Sequence, residues 1–360
     1  MIDLVQHSIA VILANQHPGG AYIASPNFPT YAYSWLRDGS FIAHAMDRVG
    51  QPASAAAFHR WVGVVLARYD EKLATLTARR LAGESIPLTE QMHCRFTLDG
   101  CESEADWTNF QLDGFGAWLW ALQDHIQRTG DRALFGEVHA QVTRLVHYLR
   151  AFWQSPCYDC WEELGDKIHP TTLAAIYGGL QAAAALDATL VDETPAAIRR
   201  FVLAHCVVEG RLAKFAGSLL VDANLLGAAL PFQLLDAGDP ILIATVAQIE
   251  RDLLHRGVRR YQEDTYYGGG EWLLLTAWLG WLYAERGDSA RARALLAWVA
   301  AEADAGGDMP EQVCDVPLDP AFVQPWIDRW GPVAKPLLWS HAMYLILNDV
   351  LGHTDGALTQ

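Results

Sequence analysis

Two short acidic segments hold the side chains of this sequence that are best suited to chemistry. Glu162 and Glu163 directly follow Trp161, and Glu311 directly follows Pro310 far downstream. Hydrolysis of a glycosidic bond needs two carboxyl groups on opposite sides of a sugar, one protonated and one ionised. Adjacent glutamates are usually solvated, but a Trp beside them indicates a partly apolar pocket, which raises the pKa of a carboxyl towards that of a general acid. The hypothesis is acid and base catalysis on a sugar, provided that the fold brings the two segments together.

Apolar residues recur every three to four positions along almost the whole chain, a period that predicts helices. Gly, Pro and Asp residues stand between many of these segments, as expected at helix boundaries. A short β-hairpin is predicted around 207–220, with Glu209 and Gly210 at its turn. The predicted helices are 3–15, 37–49, 52–82, 111–128, 131–154, 170–186, 193–205, 222–230, 239–254, 271–286, 288–304 and 336–351.

Long connections precede every second predicted helix, and short turns precede the others. Loops longer than about 12–15 residues are usually functional or disordered, and the aromatic and charged residues in these loops favour function. If the helices alternate between an inner and an outer ring, all the long loops emerge at one end. The pattern predicts an all-α fold, a single-domain (α/α)6 barrel, with an irregular helical bundle as the alternative. The long connections span about 16–36, 83–110, 155–169, 206–221, 255–270 and 305–335.

The first long loop ends in an aromatic and charged segment that contains Tyr31, Tyr33, Trp35, Arg37 and Asp38. An Arg-Asp pair at the start of a helix can be purely structural, because the carboxylate caps the helix and complements its dipole. Flanked by two Tyr and a Trp, the pair also has the form of a polar clamp with stacking walls. Such a setting suits a sugar.

Two other long loops carry candidate sugar ligands. Trp107 lies before a predicted helix, where burial does not require it. In the fifth loop, Arg260 and Asp264 are candidate ligands for sugar hydroxyls, and Tyr266 and Trp272 are candidate stacking groups. Three consecutive glycines in this loop allow close backbone approach. The loop does not have the pattern of a phosphate-binding loop, because no Lys or strand-linked G-x-G-x-x-G arrangement is present.

Composition excludes several classes of protein. The net charge of −16 argues against nucleic acid and anionic membranes as partners. No stretch approaches about 20 apolar residues free of charge, so no transmembrane helix is expected. The first residues lack the features of a secretory signal, so a cytoplasmic location is expected. The six Cys are then expected to be free thiols. Cys157 and Cys160 could be drawn into a zinc site with His93, Cys94 and Cys101, but the spacing is irregular.

Several motifs, in this order, resemble the catalytic domain of glycoside hydrolase family 15, which contains glucoamylases, glucodextranases, some trehalases and small isomaltose-type glucohydrolases. The resemblance runs from about residue 8 to residue 345. Each motif alone is weak, but their order, with each before an alternate predicted helix, is specific. The motifs are Tyr31-x-Tyr33-x-Trp35-x-Arg37-Asp38, Trp107 with Gln111-Leu112-Asp113-Gly114, Trp161-Glu162-Glu163, Arg260-Tyr261-x-Glu263-Asp264-Thr265-Tyr266-Tyr267-Gly268 with Trp272, Pro310-Glu311-Gln312, and Trp339-Ser340-His341.

The resemblance implies an (α/α)6 barrel that hydrolyses its substrate with inversion, without a cofactor or metal ion. It implies that Glu162 is the general acid and Glu311 the general base, with Tyr31 near the catalytic water and Tyr266 in a position to orient it. Glu163 is implied to contact the sugar beyond the scissile bond. The implied ligands of the terminal glucose are Arg37, Asp38 and Arg260 for its hydroxyls, and Trp35, Trp107, Trp161 and Trp339 for its walls.

Residues 1–360 are expected to form one catalytic domain, without the β-sandwich domain that precedes the barrel in many bacterial relatives and without a carbohydrate-binding module. A short α-gluco-oligosaccharide such as maltose or isomaltose is therefore the expected substrate, with α,α-trehalose as an alternative. Glu163 favours an α-1,4 linkage, and the compact chain favours an α-1,6 linkage.

Two other classes of protein stay open. A non-catalytic sugar-binding barrel would not need both carboxylates, and a sugar epimerase would use His pairs, which do not cluster in the long loops.

Overall fold

The computed structural model describes residues 2–103 and 107–358 and shows a mainly helical protein, as predicted. Short antiparallel strand pairs and 3-10 helices connect the α-helices. No helix in the described part of the chain has the length and apolarity that crossing a membrane requires. The α-helices are α1 (Leu4–Ala14), α2 (Leu36–Arg48), α3 (Pro52–Arg68), α4 (Asp70–Leu81), α5 (Asp113–Thr129), α6 (Arg132–Phe152), α7 (Pro170–Leu186), α8 (Thr194–His205), α9 (Pro240–Leu253), α10 (Leu273–Glu285), α11 (Ser289–Ala301), α12 (Val323–Trp330) and α13 (Leu338–Leu358).

Five α-helices and one 3-10 helix form a closed inner ring. Around the ring, α2 packs on α5, α5 on α7, and α7 on the 3-10 helix Ala223–Ala228, which is followed by α10 and α13. Because α13 packs back on α2, the ring is closed. Helices α1, α3, α6, α8, α9 and α11 pack on the outside of this ring. The long connections all lead into inner elements, so the predicted (α/α)6 barrel is confirmed.

The fourth inner element differs from the prediction of a helix at 222–230. It is the 3-10 helix Ala223–Ala228, six residues long. The side chain of Asp222 accepts a hydrogen bond from the N–H of Asn224 and so caps its start. Pro231 follows shortly after its end and has no N–H with which a helix could continue. The predicted α-helix is wrong, although its place in the ring is right.

Large aromatic side chains fill the centre of the ring. Phe41 of α2 contacts Trp278 of α10, Trp339 of α13 and Trp120 of α5, with ring centroids 5.0, 5.3 and 5.5 Å apart. Phe232 lies 5.9 Å from Trp120 and completes the cluster. These contacts mean that the barrel has a solid core, and that any cavity at the loop end has an aromatic floor.

In the described part of the chain, three pairs of two-residue strands tie loops together. The predicted hairpin is confirmed, since β3 (Val207–Val208) pairs with β4 (Arg211–Leu212). Its turn residues Glu209 and Gly210 both have positive φ angles, 50° and 77°, as two-residue hairpin turns of this type require. The other pairs were not predicted, because two residues are too few to show alternation. They are β1 (Ser34–Trp35) with β2 (Arg95–Phe96), and β5 (Glu271–Trp272) with β6 (Gln312–Val313).

Two helix predictions need correction. The predicted helix 52–82 is divided at Tyr69 into α3 and α4, and the hydroxyl of Tyr69 accepts a hydrogen bond from the N–H of Glu102 at 2.7 Å. The apolar period continues through this junction, so the sequence does not mark the break. The predicted connection 305–335 contains α12, whose eight residues are too few for a clear helical period.

Helices α5 and α7 approach so closely that two positions admit only glycine. A Cβ atom on Gly116 would lie 2.2 Å from the carbonyl oxygen of Ala175. One on Gly179 would lie 2.5 Å from the carbonyl oxygen of Gly116. Both neighbours are backbone atoms, which cannot move aside without moving a helix. The inner ring therefore depends on these glycines at this contact.

We expect Gly116→Ala to destabilise the protein by about 1–3 kcal/mol, because an added methyl group pushes two ring helices apart. The matched control is Gly136→Ala on the outer helix α6, where a Cβ would meet nothing within 4 Å. This control should stabilise by up to about 1 kcal/mol, as Ala favours a helix. Thermal unfolding followed by circular dichroism measures both. Equal melting temperatures for the two variants would contradict the close contact.

Candidate active site

A cavity of about 700 Å³ lies at the loop end of the ring. Both acidic segments reach it, although they lie far apart in the sequence. Every side chain that the sequence singled out for the site lines this cavity except Asp264. The lining residues among them are Tyr31, Trp35, Arg37, Asp38, Trp107, Trp161, Glu162, Glu163, Arg260, Tyr266, Trp272, Glu311 and Trp339.

Glu162 enters the cavity from the loop between α6 and α7. Its φ angle is 64°, a left-handed conformation that non-glycine residues rarely adopt, and Leu164 has a φ of 54°. Such strain is retained where the surroundings enforce it and is common at functional sites. The indole Nε1–H of Trp35 donates to Glu162 Oε1 at 2.8 Å. Burial raises the pKa of Glu162, against the opposing effects of the Arg37 charge and the Trp35 hydrogen bond.

A buried ion cluster holds this loop in shape. One oxygen of Asp159 accepts hydrogen bonds from the N–H groups of Trp161 and Glu163, at 2.9 and 3.0 Å. Its other oxygen contacts Lys214 Nζ at 3.2 Å, and Lys214 also contacts Asp222 at 2.6 Å. The charges of the two aspartates outweigh burial and raise the pKa of Lys214. The sequence analysis missed Lys214, since a lone Lys after a hairpin carries no signal.

Trp161 is fixed by the same cluster. Its indole N–H donates to the carboxylate of Asp222 at 3.0 Å. Its ring packs on that of Trp272, with centroids 5.1 Å apart. Trp161 therefore links the loop of Glu162 to strand β5, which pairs with β6 directly after Glu311.

Glu311 faces the cavity and is only 3% exposed. The hydroxyl of Tyr31 donates to Glu311 Oε1 at 3.0 Å and lies 2.8 Å from the hydroxyl of Tyr266. Glu311 Oε2 is buried and has no hydrogen-bond partner in the described part of the chain. Burial raises the pKa of Glu311 to about 8; the Tyr31 hydrogen bond and the Arg260 charge oppose this rise, and the Glu162 charge adds to it.

The backbone around Glu311 is anchored on helix α13. Ser340 Oγ donates to the carbonyl oxygen of Pro310 at 2.8 Å. His341 Nε2 accepts a hydrogen bond from the N–H of Met309 at 3.1 Å, and its Nδ1 lies 2.9 Å from Ser8 Oγ. Burial lowers the pKa of His341 to about 4, which keeps the ring neutral and able to accept this bond. The Trp-Ser-His motif thus supports the Glu311 loop as well as the cavity wall.

Arg37 and Asp38 lie together at the start of α2 beside the cavity floor. Arg37 Nη1 donates to Gln111 Oε1 at 2.8 Å and to Asp113 Oδ2 at 3.0 Å. Burial disfavours the charged guanidinium, but the charges of Asp113 and Asp38 outweigh it and raise the pKa of Arg37. Burial also raises the pKa of Asp38 to about 6, in spite of Arg37. Gln111 and Asp113 hold Arg37 in place.

Arg260 lies in the cavity wall, among aromatic rings. It forms a two-point ion pair with Asp264, with Nε donating to Oδ2 at 2.8 Å. The carboxylate of Asp264 also accepts from the N–H of Tyr266 at 2.9 Å, so it lies behind Arg260 and does not line the cavity. The expectation that Asp264 faces the sugar therefore needs correction. Both of its oxygens already have partners in the protein, and its position orients Arg260.

Glu163 borders the cavity next to Glu162. The hydroxyl of Tyr261 donates to Glu163 Oε2, and Arg260 Nη2 lies 3.4 Å from Glu163 Oε1. Burial raises the pKa of Glu163, and the positive charges of Arg260 and Lys214 oppose this rise. The carboxylate therefore has a fixed direction at the edge of the site.

Aromatic side chains from α12 complete the walls and were missed in the sequence. Trp326 and Trp330 lie one helical turn apart, with ring centroids 4.9 Å apart, and both line the cavity. Trp330 packs on Trp107, 5.9 Å away, and Trp326 packs on Tyr266, 5.1 Å away. The spacing of four between the two Trp residues was the signal that could have predicted them.

The six Cys are free thiols. Cys160 lies in the cavity wall, and its Sγ is 3.1 Å from Nδ2 of Asn224. Cys157 is buried, with Thr172 and the backbone of Leu112 as its hydrogen-bond partners. The two thiols thus contact different elements. In the described residues, no cluster of metal-ligating groups includes a Cys.

The fold and the cavity together define a glycoside hydrolase of the glucoamylase type, and comparison with known proteins agrees. The model of glycosyl hydrolases family 15 matches residues 2–313, so the chain belongs to this family. It is 46% identical over 362 aligned residues to an isomaltose glucohydrolase of Kribbella flavida, covering 97% of this chain and 93% of that protein.

Solved structures extend the comparison. The chain matches a glycosidase variant with one Glu replaced by Ala, in complex with glucose, at 44% identity and a TM-score of 0.93, covering 97% of this chain and 96% of that one. It also matches a bacterial glucoamylase complexed with acarbose at 20% identity and a TM-score of 0.77, covering 97% of this chain and 55% of that one. The second likeness shows the shared fold.

We expect Tyr31→Phe to move the acidic limb of the pH dependence of kcat/KM to higher pH. The hydroxyl of Tyr31 stabilises the ionised form of Glu311, so its loss raises the pKa of that carboxyl and leaves less of the base ionised at low pH. A hydrogen bond to a charged group is worth about 1.5–3 kcal/mol, which corresponds to about 1–2 pH units.

The control for this experiment is Tyr33→Phe, because Tyr33 packs on Trp35 and Arg95 without contacting either carboxyl group. Initial rates between pH 4 and 10.5 give both profiles. An acidic limb that does not move in Tyr31→Phe would show that Tyr31 does not act on Glu311.

Proposed function

We propose that this enzyme is an inverting, exo-acting α-glucosidase that releases glucose from the non-reducing end of short α-glucosides. The observation that carries the proposal is the position of two glutamates, Glu162 and Glu311, on different loops around one aromatic cavity. Each carboxyl has hydrogen-bond donors on one oxygen, from Trp35 and Tyr31 respectively. A general acid and a general base that flank one sugar meet the requirement for inversion.

In the proposed mechanism Glu162 protonates the glycosidic oxygen, and Glu311 takes a proton from the water that attacks the anomeric carbon. Burial raises the pKa of both carboxyls, and their charges repel, so near neutral pH the pair shares a proton. In the productive form this proton lies on Glu162. Tyr31 and Arg260 favour that form, because both stabilise the ionised state of Glu311. Each proton transfer contributes about 10²–10⁴ in rate.

The polar groups of the floor and wall are suited to hold a terminal glucose. Arg37, Asp38 and Arg260 bring charged donors and acceptors to the cavity, and their protein partners fix their directions. Such groups bind sugar hydroxyls with strong charge-assisted hydrogen bonds. Trp35 and Trp339 offer apolar faces for the sugar ring. The floor below Trp339 is the packed aromatic centre of the barrel, so only a chain end can enter, which supports exo action.

Isomaltose is the proposed preferred substrate among the α-linked disaccharides. The name of the Kribbella flavida relative, 46% identical over nearly the whole chain, supports an α-1,6 linkage. The sequence had left maltose, isomaltose and trehalose open. A non-catalytic sugar-binding role finds less support, because a binding protein has no need for two buried carboxyls with raised pKa values.

Substitution of each glutamate distinguishes the two roles. Glu162→Gln should lose at least about 10²-fold in kcat on isomaltose, but much less on 4-nitrophenyl α-glucoside, whose leaving group needs no proton. Glu311→Gln should lose activity on both substrates, since both require an activated water. Glu263→Gln, an exposed glutamate at the fifth loop, is the matched control and should keep full activity. Equal losses of Glu162→Gln on both substrates would contradict its role as the acid.

Initial rates on isomaltose, maltose and α,α-trehalose, measured side by side, test the linkage. We expect the highest kcat/KM on isomaltose. The highest value on maltose or trehalose would overturn the proposed linkage and leave the acid and base roles intact. Glucose binding without hydrolysis of any of the three would instead favour a sugar-binding protein.

A further inference from the structure

A second cluster of chemically capable side chains lies far from the cavity. It consists of Asp47 near the end of α2, His59 on α3 and His125 near the end of α5, and we refer to these three residues as the distal cluster. One carboxylate oxygen of Asp47 and one ring nitrogen of each His lie within 4.8 Å of one another. His59 is 0% exposed and His125 is 1% exposed, and the side chain of Asp47 is equally inaccessible.

The distal cluster is separate from the active site. Asp38 lines the cavity at the start of α2, and Asp47 lies nine residues further along the same helix, a distance of roughly 14 Å at 1.5 Å per residue. His125 is likewise twelve residues beyond Asp113 on α5, or roughly 18 Å. No step of the proposed hydrolysis reaches these residues.

The hydrogen bonds inside the distal cluster leave three nitrogens without a partner. His125 Nδ1 lies 2.9 and 3.0 Å from the two carboxylate oxygens of Asp47, so this nitrogen carries the proton and Nε2 keeps its lone pair. His125 Nε2 and both ring nitrogens of His59 have no hydrogen-bond partner among the described residues. Buried polar groups in native proteins nearly always have partners. A ring with two unmatched nitrogens in a closed core therefore indicates a missing ligand.

The electrostatic setting suits a cation. Both ring nitrogens of His59 are buried and have no hydrogen-bond partner among the described residues, so the ring can offer a lone pair. Asp47 supplies one negative charge, and Asp124 is the next carboxylate, bound to His44 at 2.7 Å and to Arg128 at 2.8 Å. Neutral imidazole with carboxylate is a donor set that zinc and neighbouring transition metals accept.

We propose that the distal cluster is a binding site for one divalent transition-metal ion, with zinc as the best-matched ion. Its protein ligands are His59, Asp47 and, through Nδ1, His125. The ion replaces the proton that Nδ1 shares with Asp47, and the ring proton of His125 moves to Nε2. At Zn–N distances of about 2.0–2.1 Å the ligand atoms, now within 4.8 Å of one another, must close to roughly 3.3 Å. The ion would join two neighbouring inner helices, α2 and α5, to the outer helix α3. Its role is structural, at the end of the ring opposite to the active site.

The test uses the full-length enzyme, freed of metal with a chelator and desalted. Addition of ZnCl2 should lead to one bound zinc ion per chain, measured by elemental analysis after gel filtration. At zinc concentrations about 100-fold above Kd, the melting temperature should rise by roughly 3–6 °C. His59→Gln should lose both effects. His205→Gln, an exposed histidine at the end of α8, is the matched control and should keep both.

Two further measurements keep the result unambiguous. Cobalt(II) in place of zinc should give a spectrum without thiolate-to-metal charge-transfer bands, which excludes binding by the free Cys. If His59→Gln does not fold, Asp47→Asn serves in its place with the same expected losses. Absence of retained zinc and of any rise in melting temperature in the unsubstituted enzyme would overturn the proposal. Equal zinc uptake by the ligand variants would overturn it as well. The polar groups of the distal cluster would then have water, and not an ion, as their partner.

Discussion

The packing of the last inner helix, α13, on the first, α2, is the contact on which the site depends. This closure places the end of the chain beside its beginning, where the N–H of Leu338 donates to the carbonyl oxygen of Ala24 at 3.1 Å. It brings Tyr31 of the first loop within hydrogen-bond distance of Glu311 in the sixth. Without closure of the ring, the base and the tyrosine that stabilises its charge would be unconnected.

The site also depends on buried charges. Burial raises the pKa of its two catalytic carboxyls, and the same burial disfavours the charged guanidinium and ammonium groups around them. Three buried cations at the site have carboxylate partners that the substrate does not need: Asp113 for Arg37, Asp264 for Arg260, and Asp159 with Asp222 for Lys214. Removal of one partner would leave an uncompensated charge in a region of low dielectric constant. The residues that touch the sugar therefore depend on a set of acidic residues behind them.

The sequence predicted the architecture well, because long loops before every second helix are a property of the whole chain. All but one of the fourteen predicted site residues line the cavity, since Trp, Tyr and Arg in loops have few structural reasons to be there. Asp264 was wrongly expected to face the sugar. A motif shows which residues lie near one another, but it does not show that the guanidinium of Arg260 binds both carboxylate oxygens. Lys214 was missed because it acts through tertiary contacts alone. Helix α12, with Trp326 and Trp330, was missed because eight residues show little periodicity.

The central claim is that Glu162 and Glu311 act from opposite faces of the same sugar. The stereochemistry of the first product tests it most directly, through a proton NMR time course of α-glucoside hydrolysis at high enzyme concentration. We expect the β-anomer of glucose to appear first and the α-anomer to form later, by mutarotation. Initial release of α-glucose would contradict it, because retention requires one carboxylate to attack the sugar as a nucleophile.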